Sequence, residues 1–314
     1  MIPKQAAVLE VLMQKTAVLP GRAGRSLGEW GLFGAFLAPN LLFLAVFTYW
    51  PLIYNVYLSL VEWDMVQPVK LFVGLANYQD LATDSRFWQI FFNTFYFVVV
   101  GVALTLIISF ATALLLNQKL RARDAARSVV FAPTILSGAA IAIVWIYVFD
   151  PRFGLIHLGL SLIGLSSPHW LTDPTWAMPA MIIVYVWKNF GYAVVVYLAG
   201  LQSIPRELIE AATVDGAGAW NRLVGVILPQ LSPITFFLLV TSILGSFQAF
   251  DLVAVMTQGG PVDSTNTLIY HLYEEGFVAF HAGRAAAIAM VLFVLMLIVT
   301  VLQLRVVERQ VHYS

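Results

Sequence analysis

The stretch EAATVDGAGAWNRLVGVILP, Glu210 to Pro229, decides how this chain is read. It is polar and amphipathic, and it interrupts a sequence that is otherwise apolar. The apolar run before it ends near Leu201 and the next begins near Ile234. Between them stand Pro205, Arg206, Glu207, Glu210, Asp215, Asn221 and Arg222, with Ile204, Leu208, Ala211, Ala212 and Val214 interleaved at helical spacing. Asp215-Gly216-Ala217-Gly218 is a turn signal that ends one short helix before Trp220 starts another. A helix–turn–helix of this length has no core of its own. It is made to be docked into something else.

Working outward, the 314 residues are 60% hydrophobic and 11% charged, with a mean hydropathy of +0.84. Soluble domains carry about 25% charged residues, so the chain falls in the membrane class. The absence of cysteine excludes disulfides, thiolate metal sites and cysteine nucleophiles. The five histidines show no metal-ligand spacing. Residues 1–29 form a polar segment of mixed charge, within which Ala7 to Leu19 has the pattern of a surface amphipathic helix. It lacks a cleavable signal pattern.

Six runs are long enough to cross about 30 Å of hydrocarbon at 1.5 Å per residue. They lie near 30–50, 90–116, 129–149, 178–201, 234–256 and 286–305. The expected fold is therefore all-α and polytopic, with six transmembrane helices. A segment of residues 1–29 precedes the 30–305 membrane domain, a polar loop at 202–233 divides it, and a tail of 306–314 follows. The lysines and arginines set the orientation. Lys4, Lys15, Arg22, Arg25, Lys119, Arg121, Arg123, Arg127, Arg206, Arg222, Arg305 and Arg309 fall on one side, and Lys70, Arg86, Arg152 and Arg284 on the other. That bias places both termini and the Glu210 stretch in the cytoplasm. The outer loops are then 51–89, 150–177 and 257–285. Trp63, Trp88, Trp170 and Trp176 stand near span ends as interface anchors, Gly74 to Gln89 reads as a surface helix, and MTQGGP (Met256 to Pro261) ends the fifth span sharply.

Enzyme signatures are missing. There is no Gly-x-x-x-x-Gly-Lys-Ser/Thr phosphate loop, no Gly-x-Ser-x-Gly elbow and no His-Glu-x-x-His. The adjacent Glu274 and Glu275 read as a solvated loop pair. Polar residues inside the spans are more informative, because each is costly there. In the fourth run Tyr185, Lys188, Asn189 and Tyr192 follow spacings of three and four and share a helix face. Lys188 is about ten residues from the outer end, roughly 15 Å at the helical rise, too far to snorkel. It faces either a polar path or a carboxylate such as Asp251. In the fifth run Ser242 and Ser246 share a face that Ala249 continues, with Gln248 and Asp251 beside it. These serines suit helix packing as well as a path. Thr134, Ser137 and Gly138 add a third small polar patch after Pro133.

EAATVDGAGAWNRLVGVILPQLSP resembles the EAA loop of permease subunits of binding-protein-dependent ABC importers, with Glu210, Ala211, Ala212, Asp215, Gly216, Ala217, Leu228 and Pro229 at the family spacing. FVGLANY (Phe72 to Tyr78), TQGGP (Thr257 to Pro261) and VVERQVHY (Val306 to Tyr313) are similar to the carbohydrate-uptake branch, and LQSIPRELIEAATVDGAGA and TLIYHLYEEGF to its glycerol phosphate importers. The resemblance implies a type I permease fold in the bacterial cytoplasmic (inner) membrane. It implies a second permease subunit completing the path, two cytoplasmic ABC ATPases that bind the ATP and Mg, and an external, periplasmic or lipid-anchored solute-binding protein. The chain would itself hold no cofactor and catalyse nothing. The Glu210 loop would be the helix that couples it to the ATPase. Thr134, Ser137, Tyr185, Lys188, Asn189, Tyr192, Ser242, Ser246 and Ala249, with Asp251 beside them, would line the substrate path. The implied solute is sn-glycerol-3-phosphate or a related glycerophosphodiester. The alternative is an oligosaccharide or polyol. A secondary transporter driven by an ion gradient is the reading from another class; inverted repeats with broken helices, its usual mark, are not evident in the sequence.

Overall fold

A computed structural model describes residues 27–118 and 123–307, with side chains from 32 to 118 and from 123 to 305. The expected helix at Ala7 to Leu19 and the tail beyond 307 lie outside these residues. The chain divides into two units, 1–54 and 55–314. The first contains most of helix α1, which starts at Leu27–Leu44 and continues through Ala45–Tyr49 into Trp50–Leu58. Within it Phe43 and Phe47 stack at 5.7 Å, and Pro39 is tolerated inside the helix. The sequence places this span near 30–50, but the helix runs on to Leu58, so the outer loop is shorter than expected.

The second unit begins with a small hairpin, β1 (Val61–Glu62) and β2 (Leu71–Phe72), paired antiparallel. Helix α2 (Ala76–Thr83) follows, as the pattern of 74–89 predicts. Asp84 caps the long helix α3 (Ser85–Leu116) through its side chain. Next come α4 (Arg123–Ile135), α5 (Gly138–Val148), the short outer α6 (Leu155–Leu162) and α7 (Pro174–Ser203), which has Asp173 as N-cap and Pro174 at its start. The polar stretch forms α8 (Arg206–Val214) and α9 (Ala219–Arg222), the latter running on to Gln230. Then come α10 (Ser232–Phe247), α11 (Phe250–Leu252, continuing to Thr257), α12 (Leu268–Tyr273, continuing to Val278) and α13 (Ala282–Leu302).

Two expected spans are not straight helices. α4 and α5 meet at an angle of 105°, and the α9 run meets α10 at 65°. Among the described residues four helices are long and apolar enough to cross a membrane, and six spans result when each bent pair counts as one. The fifth run, read as one span over 234–256, breaks at Gln248 and Ala249. Ala249 takes φ −74°, ψ 65°, and the Phe250 N–H donates to the Gln248 carbonyl at 2.8 Å, closing an inverse γ-turn. Broken helices, not evident in the sequence, are therefore present.

α3 and α7 form the most extensive helix pair. Around them lie three apolar clusters. One joins α5, α7 and α11 through Ile141, Met181, Val184 and Val253. The second joins α3, α12 and α13 through Ile90, Leu268 and Ile288. The third joins α3, α7 and the α9–α10 junction through Ala113, Tyr197 and Leu231. α4 approaches α7 so closely that a methyl on Gly191 would lie 2.2 Å from the Val130 carbonyl oxygen.

At the outer end the loops are stapled by charge. Arg86 donates twice to Asp263, at 2.8 Å from both Nε and Nη2, and once to Glu274 at 3.1 Å. Asn266 donates to both acids, and His271 Nδ1 lies 3.5 Å from Glu274. Glu275 is buried between His281 at 2.8 Å and Arg284 at 3.4 Å, and Arg284 also pairs with Asp84. Glu274 and Glu275 are thus not the solvated pair the sequence suggests. Their cationic partners arrive from α3 and α13. Hydrogen bonds from Arg86 hold the Asp263 carboxyl below its usual 3.8, and burial holds His271 below its usual 6.5.

Two outcomes follow for stability. Gly191→Ala forces a methyl against backbone, and the expected cost is about 1–3 kcal/mol, seen as a lower melting temperature of the detergent-solubilised protein; an unchanged value would refute the close approach. Because Asp263 and His271 both bind protons less readily when folded, stability is complete above about pH 6.5 and is lost as pH falls through their depressed values. Melting temperatures across that range should fall on acidification, and His271→Asn should flatten the upper part of the curve.

Candidate functional site

The residues the sequence singles out gather around a cavity where two helix breaks meet and at the Glu210 turn.

The first break follows α4. Pro133 removes one helical N–H two residues before the helix ends at Ile135. Ser137 is extended, and its hydroxyl accepts from the Ala140 N–H at 3.3 Å, capping α5. The second break is the γ-turn at Ala249. Both open onto a cavity of about 130 Å³ lined by Gly138, Tyr185, Lys188, Asn189, Gly245, Gln248, Ala249, Phe250, Asp251 and Leu252. Of the expected path residues, Tyr185, Lys188, Asn189, Ala249 and Asp251 meet here.

The others sit around it. The Thr134 hydroxyl donates to the Lys188 carbonyl at 3.3 Å, tying α4 to α7 beside the cavity. Tyr185 donates to the Ser242 carbonyl at 3.3 Å and packs edge-on against Phe97. The Asn189 amide donates back to the Tyr185 carbonyl at 2.7 Å. Ser246 is buried and its hydroxyl bonds the Ile243 carbonyl of its own helix. Ser242, Ser246 and Tyr192 do not line the cavity, and Tyr192 is 41% exposed. Gly138, Gly245, Gln248 and Phe250 do line it. Gly138 and Gln248 are visible in the sequence as small or polar positions beside the expected path, but nothing there marks Phe250. Lys188 and Asp251 share the cavity, yet among the described residues neither makes an ion pair.

The Glu210 turn is closed by its own backbone. Gly216 takes φ +79°, its N–H donates to Thr213 at 3.1 Å, and the Ala217 N–H donates to Ala212 at 2.9 Å. This is a Schellman closure, and it needs a glycine at the left-handed position. Arg222 reaches back to the Thr213 hydroxyl and the Ala217 carbonyl, both at 3.2 Å, and locks α9 to α8. Ile204 and Ile209 anchor the motif to the third apolar cluster. On the opposite side Glu210, Ala211, Asp215 and Gly216 are exposed, with Val214 at 88% and Trp220 at 72%. Ala212, Ala217 and Pro229 are half-buried, and Leu228 and Pro229 stand just before the bend into α10. Large apolar side chains thus stand exposed on a turn closed by its own hydrogen bonds, a feature common to surfaces that bind a partner.

The chain as a whole has known relatives. Residues 103–312 match the family described as binding-protein-dependent transport system inner membrane component. The sn-glycerol-3-phosphate transport system permease protein UgpA of Yersinia pestis bv. Antiqua is 36% identical over 277 residues, 88% of this chain and 94% of that protein. Its counterpart in Pectobacterium atrosepticum is 35% identical over the same length, with the same coverage. The crystal structure of a bacterial ABC transporter involved in the import of the acidic polysaccharide alginate superimposes with a TM-score of 0.76 at 25% identity, covering 90% of this chain and 96% of that one. The chain belongs to the binding-protein-dependent transport system inner membrane components: it is a multi-pass membrane permease subunit of an ABC importer, with the type I permease fold.

Proposed function

We propose that this permease forms half of a translocation path for sn-glycerol-3-phosphate or a related glycerophosphodiester. The observation that carries this reading is Lys188, a cation in a mid-helix cavity that no carboxylate neutralises among the described residues. An ammonium in a low-dielectric setting binds a phosphate through charge-assisted hydrogen bonds, while a neutral sugar would leave it uncompensated. Tyr185, Asn189 and Gln248 supply polar groups for hydroxyls. Thr134 and Ser137 hold the frame, and Ser242, Ser246 and Ala249 shape the helix that ends at the break. The relatives at 36% and 35% identity bear the name of a glycerol-3-phosphate system, which supports the same reading. An oligosaccharide or polyol is the second reading. The alginate importer favours it, since its cargo is also acidic and Lys188 would suit a carboxylate, but its likeness to this chain is lower.

The energy comes from outside the chain. In this proposal two ABC ATPases bind ATP and Mg, and one of them receives the Glu210 turn in a cleft. Glu210 meets a basic residue there, Ala211, Ala212 and Ala217 allow close approach, and Asp215 and Gly216 make the turn. Leu228 and Pro229 carry the motion into α10. A second permease completes the path, and an external solute-binding protein, periplasmic or lipid-anchored, delivers the cargo. The bias of Lys and Arg toward one side supports cytoplasmic termini in a bacterial inner membrane.

Lys188→Met in the assembled transporter should lower uptake of sn-glycerol-3-phosphate by about tenfold or more while sparing a neutral polyol, if one is carried. Equal loss of both solutes sinks the phosphate reading. Glu210→Lys and Gly216→Pro should each abolish co-purification with the ATPase, or its solute-stimulated hydrolysis, at normal membrane levels of permease. Normal coupling in either variant removes that position from the docking face.

A further inference from the structure

We propose that Gly138 determines the selectivity of the cavity by keeping the Asp251 carboxylate away from Lys188. The two charges are opposite in sign and line one small cavity, yet among the described residues they form no ion pair. Asp251 is exposed in the single chain, and where its side chain sits depends on the room left beside α5. Its carboxylate rests against the first residue of α5. A methyl built on Gly138 would sit 2.7 Å from Oδ2, 3.0 Å from Cβ and 3.3 Å from Cγ of Asp251. The contact with Oδ2 is shorter than real side chains sustain, so a side chain at 138 displaces the carboxylate. α5 and α11 pack directly against each other, which leaves the cavity as the space into which it moves.

The seat is favourable for a second reason. The first N–H groups of a helix lack intrahelical partners, and the helix end carries partial positive charge. Ser137 accepts the Ala140 N–H with its hydroxyl and the Ile141 N–H with its carbonyl. An aspartate beside Gly138 lies at the positive end of α5, and in this proposal Lys188 is left for the solute. With a larger residue at 138, Asp251 would swing onto Lys188 and neutralise it. The glycine thus acts as a positioning residue for a charge it does not touch.

This inference rests on Lys188 being the solute cation, and the test separates the two. Uptake kinetics of sn-glycerol-3-phosphate are measured in the intact transporter, with permease levels read by immunoblot. Gly138→Ala should raise KM by about tenfold or more with little change in maximal rate. Adding Asp251→Asn to Gly138→Ala should restore most of the affinity, because an uncharged amide cannot neutralise Lys188. Asp251→Glu, which reaches past the seat with Gly138 intact, should raise KM as Gly138→Ala does and serves if the alanine variant fails to accumulate. An unchanged KM in either single variant, or failure of Asp251→Asn to rescue, overturns the role of Gly138. Unimpaired phosphate uptake in Lys188→Met overturns the cation reading itself.

Discussion

Inside hydrocarbon every backbone N–H and C=O must find a partner within the protein. The rest of this structure depends on how that demand is met at two places where helices stop in mid-course. At residues 136–137 the demand is met by the Leu136 N–H on the Pro133 carbonyl, the Ile141 N–H on the Ser137 carbonyl and the Ala140 N–H on the Ser137 hydroxyl. At residues 248–249 it is met by a γ-turn from Phe250 to Gln248. Both breaks open on the same cavity. Irregular backbone is tolerated at membrane depth only where it lines such a space. The cavity and the breaks are therefore conditions of each other, and the polar residues that look scarce in the sequence are gathered where the backbone needs them.

Much of this was legible beforehand, and the physical reason is period. The runs of apolar residues set the spans to within a turn or two. The i, i+3 and i+4 spacing of Tyr185, Lys188 and Asn189 brought three side chains to one face, where they are found. Asp215 to Gly218 announced a turn because only glycine enters the left-handed region freely, and Gly216 does so. The break at Ala249 was not legible. Neither Pro nor Gly stands at 248–249, and hydropathy measures composition without direction, so the run read as one straight span. Ser246 is buried and bonds its own helix, in keeping with the packing role the sequence allows for it: inside a membrane a serine can satisfy itself on its own helix, and its sequence position does not say which way it turns. The acidic pair at 274–275 failed because its partners, Arg86 and Arg284, come from other helices.

The Glu210 turn shows how little the docking face has to rearrange. Its hydrogen bonds close on themselves, and Arg222 braces the two short helices. Ile204 and Ile209 are already buried against the body. What remains exposed mixes acidic Glu210 and Asp215 with apolar Val214 and Trp220 on a turn that its own hydrogen bonds already close, so in the proposed coupling role no loop would have to be ordered first.

The contact at Gly191 carries a mechanical consequence. Backbone touches backbone between α4 and α7, and Thr134 adds a hydrogen bond one turn away. These two helices must travel as one plate, with Lys188 riveted to it. The freedom that remains lies past the bend at 136–137, in α5 and the α11 segment packed on it. Lys188 thus belongs to one half of the cavity and Asp251 to the other, and a turn about the bend would change the electric field inside it without displacing Lys188.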